Sequence, residues 1–220
     1  RPVPPMARLL YPLADRLVFS KLREKMGGRI RFFVSGGAPL APRSAEFFYA
    51  AGIRVLEGYG LTETSPVISA NTLERTRIGT VGPVIPGVEV RIAGDGEILA
   101  RGPNVMKGYF RDEEATREAI REGWLHTGDI GHLDADGFLK ITDRKKEMLK
   151  TSGGKLVAPQ PLENLLKGDR FISQAMVVGD RRKFIAALIV PDFAWVESYA
   201  RHKQIPYKEA GELLENPRVL

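Results

Sequence analysis

A hydroxyl beside a carboxylate, Thr62 and Glu63, stands in the string Tyr59-Gly60-Leu61-Thr62-Glu63-Thr64-Ser65-Pro66. Hard oxygen groups of this kind suit a small divalent cation and the oxyanions that accompany it. Further on, Trp124-Leu125-His126-Thr127-Gly128-Asp129-Ile130-Gly131 offers Asp129, whose carboxylate can accept charge-assisted hydrogen bonds from two neighbouring hydroxyls. Asp143-Arg144-Lys145-Lys146-Glu147 adds a guanidinium fork at Arg144, which suits paired oxyanion contacts better than a lysine ammonium does. Before them, Ser35-Gly36-Gly37-Ala38-Pro39 is a run of small residues that lets a flat ligand approach the backbone. Each string alone also has an ordinary reading. Thr62 and Glu63 can simply begin a helix, Gly36-Gly37 can be a turn after a strand, Asp129 can sit in a turn between strands, and Arg144 to Glu147 can be solvated charge. His126 has no second His or Cys at metal-ligand spacing and reads as a hydrogen-bonded structural histidine.

The elements that must carry these groups follow from periodicity. Leu9, Leu10, Leu13, Leu17, Val18, Leu22 and Met26 recur at helical spacing and predict an amphipathic helix from Met6 to Met26, stopped by Gly27-Gly28. A buried strand at Ile30 to Val34, a helix at Pro42 to Ala50 ended by Gly52, and a strand at Ile53 to Leu56 make an α/β unit. Ligands in such sheets sit at the carboxyl ends of strands, where Ser35-Gly36-Gly37 and Glu57-Gly58-Tyr59 fall. From residue 79 to 142 the pattern becomes β-rich. Strands at Val88 to Ile92 and Glu97 to Arg101 flank Gly94-Asp95-Gly96, a helix runs from the N-cap Asp112 to Glu122, and strands at Ile130 to Leu133 and Phe138 to Thr142 flank Asp134 to Gly137. After Asp143 to Lys146 a small α+β pattern begins: a helix near Pro161 to Lys167, strands at Ala175 to Val178 and Ala186 to Val190, and a helix from Asp192. The expected domains are therefore 1–145, with a β-rich subdomain at 79–142, and 146–220.

Composition narrows the function classes. The 220 residues are 43% hydrophobic, enough for a core, and 33 Lys+Arg against 27 Asp+Glu give a net charge of +6. Basic residues cluster tightly only at Arg144-Lys145-Lys146 and Arg181-Arg182-Lys183, without interleaved aromatic residues, so nucleic-acid binding is not expected. With no cysteine there is neither a disulfide framework nor a thiol nucleophile, which fits a reducing cytoplasm. No apolar run approaches the roughly 20 residues of a membrane span, and Arg1 to Pro5 lacks a signal peptide's apolar core. A cytoplasmic protein is expected, with peripheral membrane contact left open.

The three polar strings, in this order, resemble the adenylate-forming superfamily of acyl-CoA synthetases, firefly-type luciferases and peptide-synthetase adenylation domains. Leu17 to Arg23, Phe33 to Leu40, Gly153 to Gln160 and Gly179 to Ile185 are similar in wording to bacterial long-chain fatty-acid–CoA ligases. The resemblance implies a carboxylic acid joined to AMP with release of pyrophosphate, then transfer of the acyl group to a thiol. Fatty acid, ATP and CoA would be substrates and Mg²⁺ the metal. It implies Glu63 as Mg²⁺ ligand, Thr62 as phosphate contact, Tyr59 against the adenine, and Gly36, Gly37, Ala38, Glu57 and Gly58 around the nucleotide. Gly60 would let the backbone come close to it. Asp129 would bind the ribose and Arg144 ribose and phosphate oxygens. Lys146 takes the hinge position about which a small mobile domain swings. Lys150 to Lys155 would face the acyl-adenylate in the second arrangement, Lys150 being a catalytic candidate and Gly153 and Gly154 lining the CoA passage.

The family's phosphate loop and its terminal adenylation lysine have no match here, and the chain starts without Met and stops at Leu220. It reads as the C-terminal part of a larger enzyme, unable to form acyl-adenylate by itself. Acyl chain length and oligomeric state stay open. A peptide-synthetase adenylation domain, another acid–CoA ligase, or a non-catalytic nucleotide-binding module are the alternatives.

Overall fold

The computed structural model describes residues 5–219; Arg1 to Pro4 and Leu220, on which the readings of the two termini partly rest, lie outside them. The fold is mixed α/β with several sheets, the class expected, and divides into two compact units, Arg1–Ile141 and Thr142–Leu220.

The first unit opens with α1 (Pro5–Ala14), a π-helical turn (Asp15–Phe19) and α2 (Ser20–Lys25), where the sequence suggests one uninterrupted α-helix. Arg23 ties this π turn to the end of the helix Pro42–Ala50, donating to Asp15 Oδ1 at 2.9 Å and to the Ala51 carbonyl at 2.6 Å. Gly27 and Gly28, at φ 89° and 68°, end the helix as expected. Next, β1 (Phe33–Ser35) and β2 (Val55–Tyr59) pair in parallel around α3 (Pro42–Ala50), with Ser35 opposite Glu57. A short β3 (Ser69–Ala70) lies antiparallel on the other edge of β2. The buried strand expected at Ile30 to Val34 needs correcting for this chain: among the described residues β1 pairs only with β2, and Val34 is 73% exposed.

The β-rich part is a sheet of β4 (Glu89–Ile92), β5 (Glu97–Arg101), β7 (Trp124–Leu133) and β6 (Ile120–Arg121) in that order, with β8 (Leu139–Arg144) also pairing β7. Asp112 caps α4 (Glu113–Ala119), its carboxylate accepting from Ala115 N at 2.9 Å. That helix stops three residues before Glu122 because Ile120 and Arg121 pair with Leu125 and Trp124. Ile68, Ile98, Ala100 and Leu139, all buried, pack with Tyr59 into one core cluster joining the end of β2 to this sheet. Each such Ile or Leu contributes about 1.5–3 kcal/mol when fully buried.

In the second unit, α5 (Pro159–Leu166) packs on β11 (Ile172–Val178), which pairs antiparallel with β12 (Ala186–Pro191). The small pair β9 (Leu149–Lys150) and β10 (Leu156–Val157) precedes them. Asp192 caps α6 (Phe193–His202), whose Val196 and Ala200 meet Ile205 and Leu213 in a second core. The unit boundary falls inside β8, four residues before the sequence boundary, and Asp143 just beyond it is buried and bonded to Gln160 of the second unit.

Candidate nucleotide site and the mobile-domain segment

At the carboxyl ends of β1 and β2 the chain is drawn close. A Cβ at Gly36 would stand 3.4 Å from the Gly58 carbonyl, so the Gly36-Gly37-Ala38 loop lies along the end of β2, and Gly37 turns with φ 79°. Glu57 accepts from Leu40 N at 3.4 Å. Partial burial pushes its carboxyl above the usual carboxylate range, against the opposing pull of the Leu40 and Gly79 amides.

Past Tyr59 the chain enters a 3₁₀ turn, Thr62–Thr64, so Thr62 and Glu63 do begin a short helical turn. Its anchor is the fully buried Thr64, whose hydroxyl accepts from Leu61 N at 2.9 Å and lies 3.0 Å from the carbonyls of Leu61 and Pro66. Gly60 matters inside this loop: a Cβ there would sit 1.6 Å from the Pro66 carbonyl oxygen. The requirement for glycine is thus already set by the protein's own backbone, before any ligand is considered. Asn104 donates to the carbonyls of Thr64 and Val67 at 3.0 and 2.8 Å, and Met106 N donates to the Glu63 carbonyl at 2.8 Å. Thr62 is exposed, and its hydroxyl has no protein partner among the described residues.

Glu63 is oriented by a residue the sequence did not flag. Tyr109 donates its hydroxyl to Glu63 Oε1 at 2.9 Å, and the carboxylate beside it pushes the Tyr109 phenol up. No group of three His, Cys, Asp or Glu side chains among the described residues could hold a metal. Glu63 offers a cation one carboxylate, and Mg²⁺ bound together with substrate phosphates takes one or two.

Asp129 is 5% exposed and lies in β7, not in a turn between strands. Tyr59 Oη donates to its Oδ2 at 2.7 Å, which sets Asp129 beside the end of β2. His126 is structural as expected: its Nδ1 lies 3.0 Å from Oε2 of the buried Glu97. Within one unit the fold thus brings together Gly36, Glu57, Gly58, Tyr59, Thr62, Glu63 and Asp129.

The second unit carries the remaining candidates. Arg144 is exposed at the end of β8 and Lys146 occupies the turn that follows. The preceding Asp143 is 1% exposed, accepting from Arg144 N at 2.6 Å and from Gln160 N, in the first turn of α5, at 3.2 Å. Arg144, Lys145, Lys146 and Glu147 are all exposed, as the solvated-charge reading has them, and burial is confined to Asp143 before them. Lys150 has an exposed side chain, while its N–H donates to Asp180 Oδ1 at 2.9 Å and its carbonyl accepts from Arg181 N at 2.8 Å. Gly154 closes a turn at φ 81° with its N–H 2.8 Å from the Thr151 carbonyl, and a Cβ at Gly153 would meet open space.

The AMP-binding enzyme family matches residues 2–110, and its C-terminal domain family, the AMP-binding enzyme C-terminal domain, matches residues 146–206. The chain belongs to the AMP-binding enzyme family. It is 50% identical over 216 residues to the long-chain-fatty-acid–CoA ligase FadD15 of Mycobacterium bovis, covering 98% of this chain and 36% of that protein. Among solved structures, O-succinylbenzoate CoA synthetase (MenE) of Bacillus subtilis with ATP and magnesium ion is 32% identical at a TM-score of 0.69, covering 79% of this chain and 40% of that one. The same enzyme with its acyl-adenylate intermediate is 30% identical at a TM-score of 0.70, covering 87% of this chain and 44% of that one. The chain thus spans little more than a third of the length of the ligase it matches.

Four residues that hydrogen-bond around these candidates escaped the sequence reading: Thr64, Glu97, Asn104 and Tyr109. Their only local signals were a second Thr in the Tyr59 to Pro66 string and a Gly96-Glu97 pair assigned to a hairpin. Their partners lie 3 to 46 positions away.

Proposed function

We propose that this chain is the C-terminal part of an AMP-forming long-chain fatty-acid–CoA ligase. The fatty-acid carboxylate attacks the α-phosphorus of ATP, pyrophosphate leaves, and the CoA thiol then attacks the acyl carbon of the adenylate and expels AMP. The observation that carries this reading is the Tyr59–Asp129 hydrogen bond, which sets a buried carboxylate beside the glycine-lined end of β2 and the Thr62–Glu63 turn.

In this reading Gly36, Gly37, Ala38, Glu57, Gly58 and Tyr59 surround the adenine, where a flat ring needs close backbone approach. Asp129 accepts both ribose hydroxyls, and Arg144 contacts ribose and phosphate oxygens with its fork. Thr62 presents a hydroxyl to phosphate. Glu63 keeps one carboxylate oxygen on Tyr109 and has Oε2 for Mg²⁺, which when bound neutralises phosphate charge. A change of backbone dihedrals at Lys146 moves the small domain, after which Lys150 faces the adenylate and Gly153-Gly154 leave room for the narrow pantetheine arm. The ATP- and Mg²⁺-bound relative and the acyl-adenylate-bound relative support the same ligand set. A cytoplasmic location with peripheral contact to the bilayer, into which long acyl chains partition, completes the proposal.

The test is substrate choice by the complete protein that contains this chain. Palmitate should drive pyrophosphate release and palmitoyl-CoA formation, with acetate and amino acids far behind. Preference for an amino acid would transfer the chain to the peptide-synthetase reading, and absence of release with any acid would leave a nucleotide-binding module.

A further inference from the structure

The segment before Asp129 is irregular in a specific way. Between the paired positions Glu97↔Ile130 and Leu99↔His126, β5 advances two residues while β7 advances four, so β7 carries a bulge. Gly128 sits in it at φ 73°, and a Cβ there would meet nothing within 4 Å. Glu97, 4% exposed, closes the bulge from the facing strand: Oε1 accepts from Gly128 N at 3.0 Å and Oε2 lies 3.0 Å from His126 Nδ1. Thr127 donates its hydroxyl to the Ile98 carbonyl at 2.7 Å and accepts from Asp129 N at 3.1 Å. A buried carboxylate is costly unless its lone pairs are filled, and here they hold residues on both sides of Thr127. At the far side of the bulge, Asp129 meets the Tyr59 hydroxyl.

We propose that Glu97 is a positioning residue for ribose recognition: by clamping the His126–Asp129 bulge it fixes the carboxylate of Asp129 in the orientation that accepts the ribose hydroxyls. This rests on the reading of Asp129 as the ribose acid. Glu97 touches no substrate; it acts through the backbone of Gly128. A hydrogen-bonding site rejects an analogue that lacks the hydroxyl only while its acceptor is held in place, so the signature is discrimination between nucleotides and not overall rate.

The experiment compares kcat/KM for ATP and for 2′-deoxy-ATP in pyrophosphate release by the complete protein, in wild type, Glu97→Ala, Glu97→Gln, Gly128→Ala and Asp129→Ala. Wild type should prefer ATP by about tenfold or more, and Asp129→Ala should bring the ratio near one. Glu97→Ala should lower the ratio severalfold through KM for ATP, and Glu97→Gln, which keeps an acceptor for Gly128 N, should recover part of it. Gly128→Ala strains only the backbone of the bulge and should also lower the ratio; it decides the matter should Glu97→Ala fail to fold. A wild-type ratio in both Glu97→Ala and Gly128→Ala, with Asp129→Ala still near one, would overturn the positioning role and leave the ribose reading standing. A ratio in Asp129→Ala equal to wild type would overturn the ribose reading itself. A merely structural Glu97 would depress both nucleotides equally.

Discussion

Tyr59 and Asp129 stand 70 residues apart in sequence and 2.7 Å apart in the fold, hydroxyl to carboxylate, at a buried position. The bond joins the end of a parallel strand to the bulged strand of a separate antiparallel sheet, over a core of Ile68, Ile98, Ala100 and Leu139. Two motifs far apart in the chain thereby become one surface.

Removing that hydroxyl is the first prediction. Tyr59→Phe keeps the ring and its packing but withdraws a charge-assisted donor from Asp129, an interaction worth roughly 1.5–3 kcal/mol. Because ribose contacts are made in ground and transition states alike, the KM for ATP of the complete protein should rise about tenfold with kcat little changed. Steady-state kinetics checks it. An unchanged KM would mean that Asp129 is held without Tyr59.

The Gly60 prediction concerns folding. Any side chain there meets the Pro66 carbonyl, a backbone atom that cannot rotate aside, and the whole Tyr59 to Pro66 turn must open. Gly60→Ala should destabilise by at least about 3 kcal/mol, in the upper tail of single substitutions. Thermal melting measures it, and Gly37→Ala is the comparison, where only the left-handed backbone at φ 79° is strained.

How much of this was legible in sequence varies by element. Helix α3, the β4–β5 hairpin and the Asp112 cap followed from spacing and turn chemistry, because local signals and tertiary packing agree there. Strand β7 was cut to its last four residues because Gly128-Asp129 carries the chemistry of a turn; the structure uses that chemistry inside a strand, as a bulge. The Tyr59, Glu63 and Asp129 side chains were singled out, but their protein partners, Asp129, Tyr109 and the Glu97-clamped bulge, depend on strand register that no local pattern encodes. At β1 the apolar composition that suggested a buried strand stands exposed in this chain, Val34 at 73%.

Glu57 gives a pH dependence. Its carboxyl is raised by burial, so the neutral form is favoured in the folded state. That contribution to stability is fully present below the ordinary carboxylate value and is lost as pH rises through the raised folded value. Glu57→Gln cannot ionise and should therefore be more stable than wild type above this window. Parallel denaturant titrations at pH 4 and pH 7 (on the order of the pH limits of carboxylate titration) check it. A constant difference between the two proteins across that range would contradict the burial argument.

Lys146→Pro fixes φ near −65° and removes an N–H, and should arrest the small domain in one arrangement. Adenylation should survive better than thioester formation, since the candidate nucleotide groups in the first unit precede the hinge while Lys150 to Lys155 follow it. Equal loss of both half-reactions in a folded protein would place the hinge elsewhere.

Glu63 carries the proposed metal and nucleotide chemistry most directly. Single-turnover release of pyrophosphate by the complete protein, with ATP, Mg²⁺ and palmitate, should fall by about 10² or more in Glu63→Gln, and about tenfold in Tyr109→Phe, which frees the carboxylate from its orienting hydroxyl. Raising Mg²⁺ should recover Tyr109→Phe and not Glu63→Gln. Wild-type release by Glu63→Gln would contradict the assignment of this turn as the nucleotide and metal site, and with it the reading of the chain.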